Sequence, residues 1–137
     1  MAGTATTYMR SLTKGLLLAA VIGLVVAGGC ESLAAYATER PPSDVLDTYT
    51  LAEAGLIASP FAVLAILHID QAKCWVVGLL VTCAYWGLMY LPSAMQVGGG
   101  ANIGWALTVA FMPLVTLVAS MLALLPEAAA LDAADRR

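Results

Sequence analysis

The sequence predicts an all-α fold, an integral membrane bundle of four transmembrane helices, two of them proline-kinked. Three observations carry this expectation. First, of 137 residues 61% are hydrophobic and 11% charged, with mean hydropathy +0.89; a soluble domain is nearer about half apolar and a quarter charged. Second, the excess lies in long blocks with almost no charge, and blocks of about 18 or more apolar residues read as spans. Third, five of the six Lys and Arg residues fall on one side of those blocks.

The chain is one domain, organised around Thr50 to Leu91, two spans joined by the short turn Ile69-Asp70-Gln71. Residues 1–14 form a polar lead with Arg10 and Lys14, followed by the apolar run Gly15 to Gly29. The first span is expected over 15–37, with Glu31 near its outer end. An alternative is a secretory signal, with a basic start and a short apolar centre. Ala27-Gly28-Gly29-Cys30 resembles a bacterial lipobox, which implies cleavage before a lipidated Cys30; Ala27 departs from the leucine usual at its position. Ala19, Gly23 and Ala27 recur every four residues, a spacing that lets another helix backbone approach closely in lipid.

Residues 31–49 read as an acidic extracytoplasmic loop, with Glu31, Glu39, Asp44 and Asp47 against Arg40 alone. Arg40-Pro41-Pro42 blocks helix continuation. Thr50-Leu51-Ala52-Glu53 matches a capping box and sets the start of the second span, 50–68. That role makes Glu53 a carboxylate serving the first-turn amides; the functional alternative is an intramembrane acid coupled to ion or proton movement. Pro60, at the centre of this span, should kink it and free the carbonyl of Leu56, with Ser59 at hand to satisfy it.

The third span, 72–91, should end at Pro92, and Gly98-Gly99-Gly100 reads as a flexible link. The fourth span, 103–125, carries Pro113 and should stop at Pro126; residues 126–137 form an alanine-rich tail. Arg10, Lys14, Lys73, Arg136 and Arg137 lie on one side and only Arg40 on the other. By the positive-inside rule, both termini and the 69–71 turn are cytoplasmic. Composition rich in alanine, glycine and valine looks bacterial, so the expected location is the cytoplasmic (inner) membrane.

Candidate chemistry is sparse. His68, the single histidine, suits haem iron, chlorophyll magnesium or copper, with Met89, Met95, Met112 and Met121 as weak ligands. Its structural role would be a cation favouring a helix C-terminus. Pro60 and Pro113 each fall ten residues into a span, so their kinks should lie at similar depth, and paired interrupted helices point to transporter sites. No GxSxG, HExxH or phosphate-cradling glycine loop occurs. Cys74 and Cys83 stand nine residues apart on one helix, about 13 Å, beyond the roughly 7 Å of a disulfide. Six basic residues leave no nucleic-acid footprint. Size and a four-span plan are similar to small multidrug transporters and fluoride channels. The first carry a central glutamate in their first span, where Gly15 to Gly29 is uncharged; the glycine-asparagine motifs of the second are not visible.

The expected function is therefore a small multi-pass membrane protein with no catalytic site and no cofactor. It would serve as an accessory or structural subunit, associated with the bilayer and with other membrane subunits or copies of itself. One alternative is an oligomeric channel or transporter lined by the Pro60 and Pro113 helices, with Glu53 gathering cations. The second is a haem- or pigment-binding redox subunit using His68.

Overall fold

The computed structural model of this chain describes residues 2–39, 41, 47–95 and 103–125. Four α-helices account for nearly all of them: α1 (Ala2–Ala37), α2 (Thr48–Ile66), α3 (Ala72–Met95) and α4 (Ile103–Leu122). Two stretches are long and apolar enough to cross a membrane, Met9–Ala37 with mean hydropathy 2.1 and Thr48–Ile66 with 1.6. Among the described residues, α3 and α4 carry the shorter apolar stretches Ala72–Leu88 and Val109–Leu122.

The helix bounds differ from the sequence expectation at the start of α1, at both ends of α2 and at the ends of α3 and α4. The polar lead is helical from Ala2, so α1 has 36 residues, about 54 Å at 1.5 Å per residue. Nothing before Thr38 breaks it: the Thr13 hydroxyl donates back to the Met9 carbonyl at 2.8 Å, and Ser32 to Gly28 at 2.6 Å, so both hydroxyls are accommodated inside the helix. Residues 31–37, read above both as helix and as loop, are helical, and Glu39 follows in the left-handed region at φ 54°. The start of α2 belongs to Asp47, not Thr50. Asp47 has the extended backbone of an N-cap, and its carboxylate accepts from the Thr50 amide at 2.8 Å and the Thr50 hydroxyl at 3.1 Å. Thr50 is thus a helical residue held by the cap, and the Thr50–Glu53 capping box does not form.

Pro92 lies inside α3, which runs on to Met95. Proline ordinarily ends a helix because it removes one amide bond and its ring crowds the carbonyl four residues back; here the chain keeps helical geometry for three residues beyond it. At the end of α4 the Leu124 amide bonds to the Met121 carbonyl at 3.0 Å, an i→i−3 pattern that closes the helix before 125. The Gly98–Gly100 link, Pro126 and the tail lie outside the described residues.

α1 packs chiefly on α2 and α3 on α4, with α2–α4 and α1–α3 contacts joining the two pairs. Among the described side chains of α1, from Met9 on, the buried positions are alanine or glycine: Ala19, Gly23, Ala27, Ala34 and Ala35. A Cβ added to Gly23 would run into the backbone carbonyl of Ala54, and one added to Gly15 would lie 2.7 Å from the Ala65 Cβ. The close approach of α1 and α2 therefore requires glycine at Gly23. Ala19 shares a cluster with Phe61 and Leu64, and Ala27 one with Ala54, Ile57, Trp86 and Met112.

The α3–α4 interface is built from a second kind of stripe. Gly78, Thr82 and Trp86, which continue an every-fourth series from the buried Cys74, lie against Ser120, Thr116 and Met112, spaced likewise. The Thr82 and Thr116 hydroxyls share a hydrogen bond at 3.1 Å, and Trp86 Nε1 donates to Met112 Sδ at 3.2 Å. The Ser120 hydroxyl donates to the Thr116 carbonyl at 2.9 Å, and an added Cβ on Gly78 would meet Ser120 Oγ at 2.5 Å.

Large apolar side chains lie mostly outside. Leu17, Val21 and Val25 on α1 are 62%, 54% and 66% exposed, and Phe111, Leu114 and Val118 on α4 are exposed as well. Soluble monomers rarely leave contiguous apolar patches beyond a few hundred Å² in water. On α1 the small side chains lie inside with leucine and valine outside, an arrangement suited to an apolar solvent, while α2 buries the large side chains Ile57, Phe61 and Leu64.

Candidate functional site

The residues singled out by the sequence divide between the two ends of the bundle. Where α1 ends and α2 begins stand Glu53, Glu31 and Cys30. Glu53 is the sixth residue of α2, past the first-turn amides that its expected capping role would have served. One oxygen, Oε2, is enclosed and meets no hydrogen-bond partner. Glu31 and Asp47 are the charged groups near enough to act on it. Cys30 is half-buried in uninterrupted helix against the Ala27–Ile57–Trp86 cluster, within electrostatic range of Cys83, Glu53 and Glu31. All three cysteines are free thiols.

Asp47 stands just outside this group, before the first residue of α2. The bond from the Thr50 amide, with help from the Thr50 hydroxyl, holds its carboxyl below the ordinary value of 3.8.

Pro60 is buried on α2 and Pro113 half-buried on α4. The Leu56 carbonyl, deprived of an amide donor by Pro60, accepts the Ser59 hydroxyl at 2.7 Å. This is the role the sequence suggested for Ser59: a short-range hydroxyl replaces the lost backbone donor. Next to Pro113, Met112 is taken up as the acceptor of the Trp86 indole, and Met121 packs against the Ala19–Phe61–Leu64 cluster. The side chains of Met89 and Met95 lie outside the described residues.

His68 occupies the opposite end, and not in the last helical turn as expected. Leu67 is the C-cap of α2, and His68 is the next residue, in the left-handed region at φ 54°. Its amide bonds to the Ala65 carbonyl at 3.1 Å, and the Ile69 amide bonds to the Leu64 carbonyl at 2.9 Å. These two bonds make a Schellman closure, with histidine at the position where glycine is usual. Ile69 packs against the cluster that contains Leu64, the hydrophobic contact that accompanies the motif. Trp75 ties the turn from the other side, its indole donating to the Ile69 carbonyl at 2.7 Å while its ring lies 5.7 Å from Phe61.

The fold brings Glu31, Cys30 and Glu53 together and sets His68 apart from them. Among the described residues there is no group of three or more His, Cys, Asp or Glu side chains able to hold a metal. Comparison with family models, with curated proteins and with solved structures finds no match to this chain.

What the sequence reading missed is the polar seam of α3 and α4. The signal was present: Cys74, Gly78 and Thr82 follow the same every-fourth spacing noticed in the first helix, and Met112, Thr116 and Ser120 follow it too.

Proposed function

We propose that this chain is an integral membrane protein of four spans in the inner membrane of a bacterium, both termini and the 69–71 turn cytoplasmic. It acts there as an accessory subunit without catalytic chemistry. The observation that carries this reading is the burial pattern: among its described side chains, α1 buries alanine and glycine and exposes leucine and valine. Such a surface is stable against acyl chains or against the apolar faces of other spans, and costly in water. Pro60 and Pro113 would bend α2 and α4 within the membrane.

The face of Leu17, Val21, Leu24 and Val25, at helical spacing, supports assembly with another membrane subunit or a second copy. Native mass spectrometry of protein gently extracted from its own membrane tests this. The expected result is an assembly of fixed stoichiometry. A monomer that alone carries solute flux in vesicles would contradict it. The chain mass in the same spectrum separates a retained first helix from cleavage and lipidation at Cys30.

A second reading, an oligomeric cation channel or transporter, is favoured by one observation, the enclosed Glu53 oxygen beside Glu31. If it holds, Glu53→Gln abolishes cation flux in reconstituted vesicles, and Pro60→Ala with Pro113→Ala alters it. Flux unchanged in all three removes this reading.

A further inference from the structure

At the end of the bundle near His68, an open cleft of about 440 Å³ separates the first turns of the apolar part of α1 from the α2–α3 turn and the start of α3. Its volume falls in the range of about 300–1,000 Å³ found for ligand pockets. Its walls are graded in polarity, and both are graded in the same direction. On the α1 wall, Ser11 and Lys14 give way to Leu18, a climb of about 10 Å at 1.5 Å per residue. On the other wall, Asp70 gives way to Trp75 and Val76. The polar end thus offers one cation and one carboxylate from different elements. The apolar end offers two aliphatic side chains and an indole, whose N–H is already engaged by Ile69.

A ligand that satisfies both walls has an anionic and a cationic group at one end and an apolar body at the other. We infer that this cleft holds a glycerophospholipid with a phosphoethanolamine headgroup, the phosphate on Lys14 and the ammonium on Asp70, its glycerol and upper acyl chain against Leu18 and Val76. The inference rests on the membrane reading above. Two features select the headgroup. A purely anionic lipid would be drawn to Lys14 but repelled by Asp70. A choline headgroup has no N–H to donate to a carboxylate, whereas an ammonium has three. Arg10 and Lys73 do not line the cleft, so the cation and the carboxylate that a bound headgroup meets are Lys14 and Asp70. Lys14 and Asp70 are exposed, so substitution at either leaves the packing of the bundle intact.

The test uses full-length protein extracted from its membrane into detergent and offered phosphatidylethanolamine, phosphatidylcholine and phosphatidylglycerol of identical acyl chains. Retained lipid is counted by native mass spectrometry. Phosphatidylethanolamine should be retained about fivefold over the other two, the scale of one charge at a membrane surface. Asp70→Asn should bring it down to the phosphatidylcholine level, whereas Lys14→Gln should lower retention of all three lipids, whose phosphate is common to them. Free phosphoethanolamine should not displace it. Equal retention of all three lipids, retention of phosphatidylethanolamine unaffected by both substitutions, or displacement by the free headgroup compound would overturn the assignment. So would a preference for phosphatidylglycerol that rises in Asp70→Asn, the mark of a merely basic patch. Protein recovered in the aqueous fraction before extraction would instead sink the membrane reading itself.

Discussion

Thr82 on α3 and Thr116 on α4 meet hydroxyl to hydroxyl at 3.1 Å, both fully buried, and they mark the centre of the seam that joins the second helix pair. Each hydroxyl would be costly to bury alone, so the pair ties register to stability. Thr82→Val and Thr116→Val should each destabilise the protein. A double-mutant cycle in detergent or bicelles should give a coupling of about 0.6 kcal/mol, the mean found for hydrogen bonds between membrane helices, and no more than about 1.7. Additive effects would mean that the hydroxyls are solvated separately.

Gly23 is the position where α1 has no room for a side chain, because a Cβ there would overlap the Ala54 carbonyl. Gly23→Val should cost about 1–3 kcal/mol, as overpacking of a well-filled contact does. Gly28→Ala and Gly55→Ala meet open space and should be neutral or stabilising by about 0.5–1 kcal/mol through helix propensity. Unfolding in mixed micelles compares the three variants directly.

His68 closes α2 in a backbone conformation that glycine adopts without penalty. Left-handed geometry costs a side-chain-bearing residue roughly 1–2 kcal/mol, so His68→Gly should raise stability by about 1 kcal/mol. A loss of stability in the same unfolding assay would show that the imidazole holds the turn by its side chain.

Asp47 gives α2 a pH-dependent cap. Its carboxyl titrates below its ordinary value in the folded chain because the charged form accepts the Thr50 amide. The cap's contribution is therefore complete above the ordinary value and fades as pH falls through the lowered folded value. In that acidic window the stability of wild type should fall towards that of Asp47→Asn, which stays constant there: the asparagine variant keeps a capping oxygen but loses the titration. Thermal midpoints measured from neutral to strongly acidic pH would show the two curves converging under acid if this is right, and parallel if it is not.

Much of this architecture was legible from residues alone, because hydrophobic block length is a one-dimensional property. Four helices with a short connection at 69–71 follow from where the apolar blocks start and stop, and Ser59 as the partner of the Leu56 carbonyl follows from Pro60. What was not legible depends on backbone torsions or on which faces meet. Asp47 and Thr50 are both good capping residues three apart, and only the extended backbone of Asp47 decides between them. His68 reads as a last-turn cation until its positive φ is known. Pro92 reads as a stop until the helix is seen to tolerate one missing bond near its end. The Thr82–Thr116 seam needs the partner helix to give its stripe meaning.

In the proposed arrangement a bilayer solvates the apolar outer surface of the bundle, with position 39 outside and the α2–α3 turn inside. Single cysteines placed at Glu39→Cys and Asp70→Cys, in a background with Cys30, Cys74 and Cys83 replaced by alanine, test it most directly with a membrane-impermeant maleimide. Position 39 should label in intact cells, position 70 only after permeabilisation, and the protein should stay in carbonate-washed membranes. Labelling of both positions in intact cells, the reverse pattern, or recovery in the soluble fraction would contradict it.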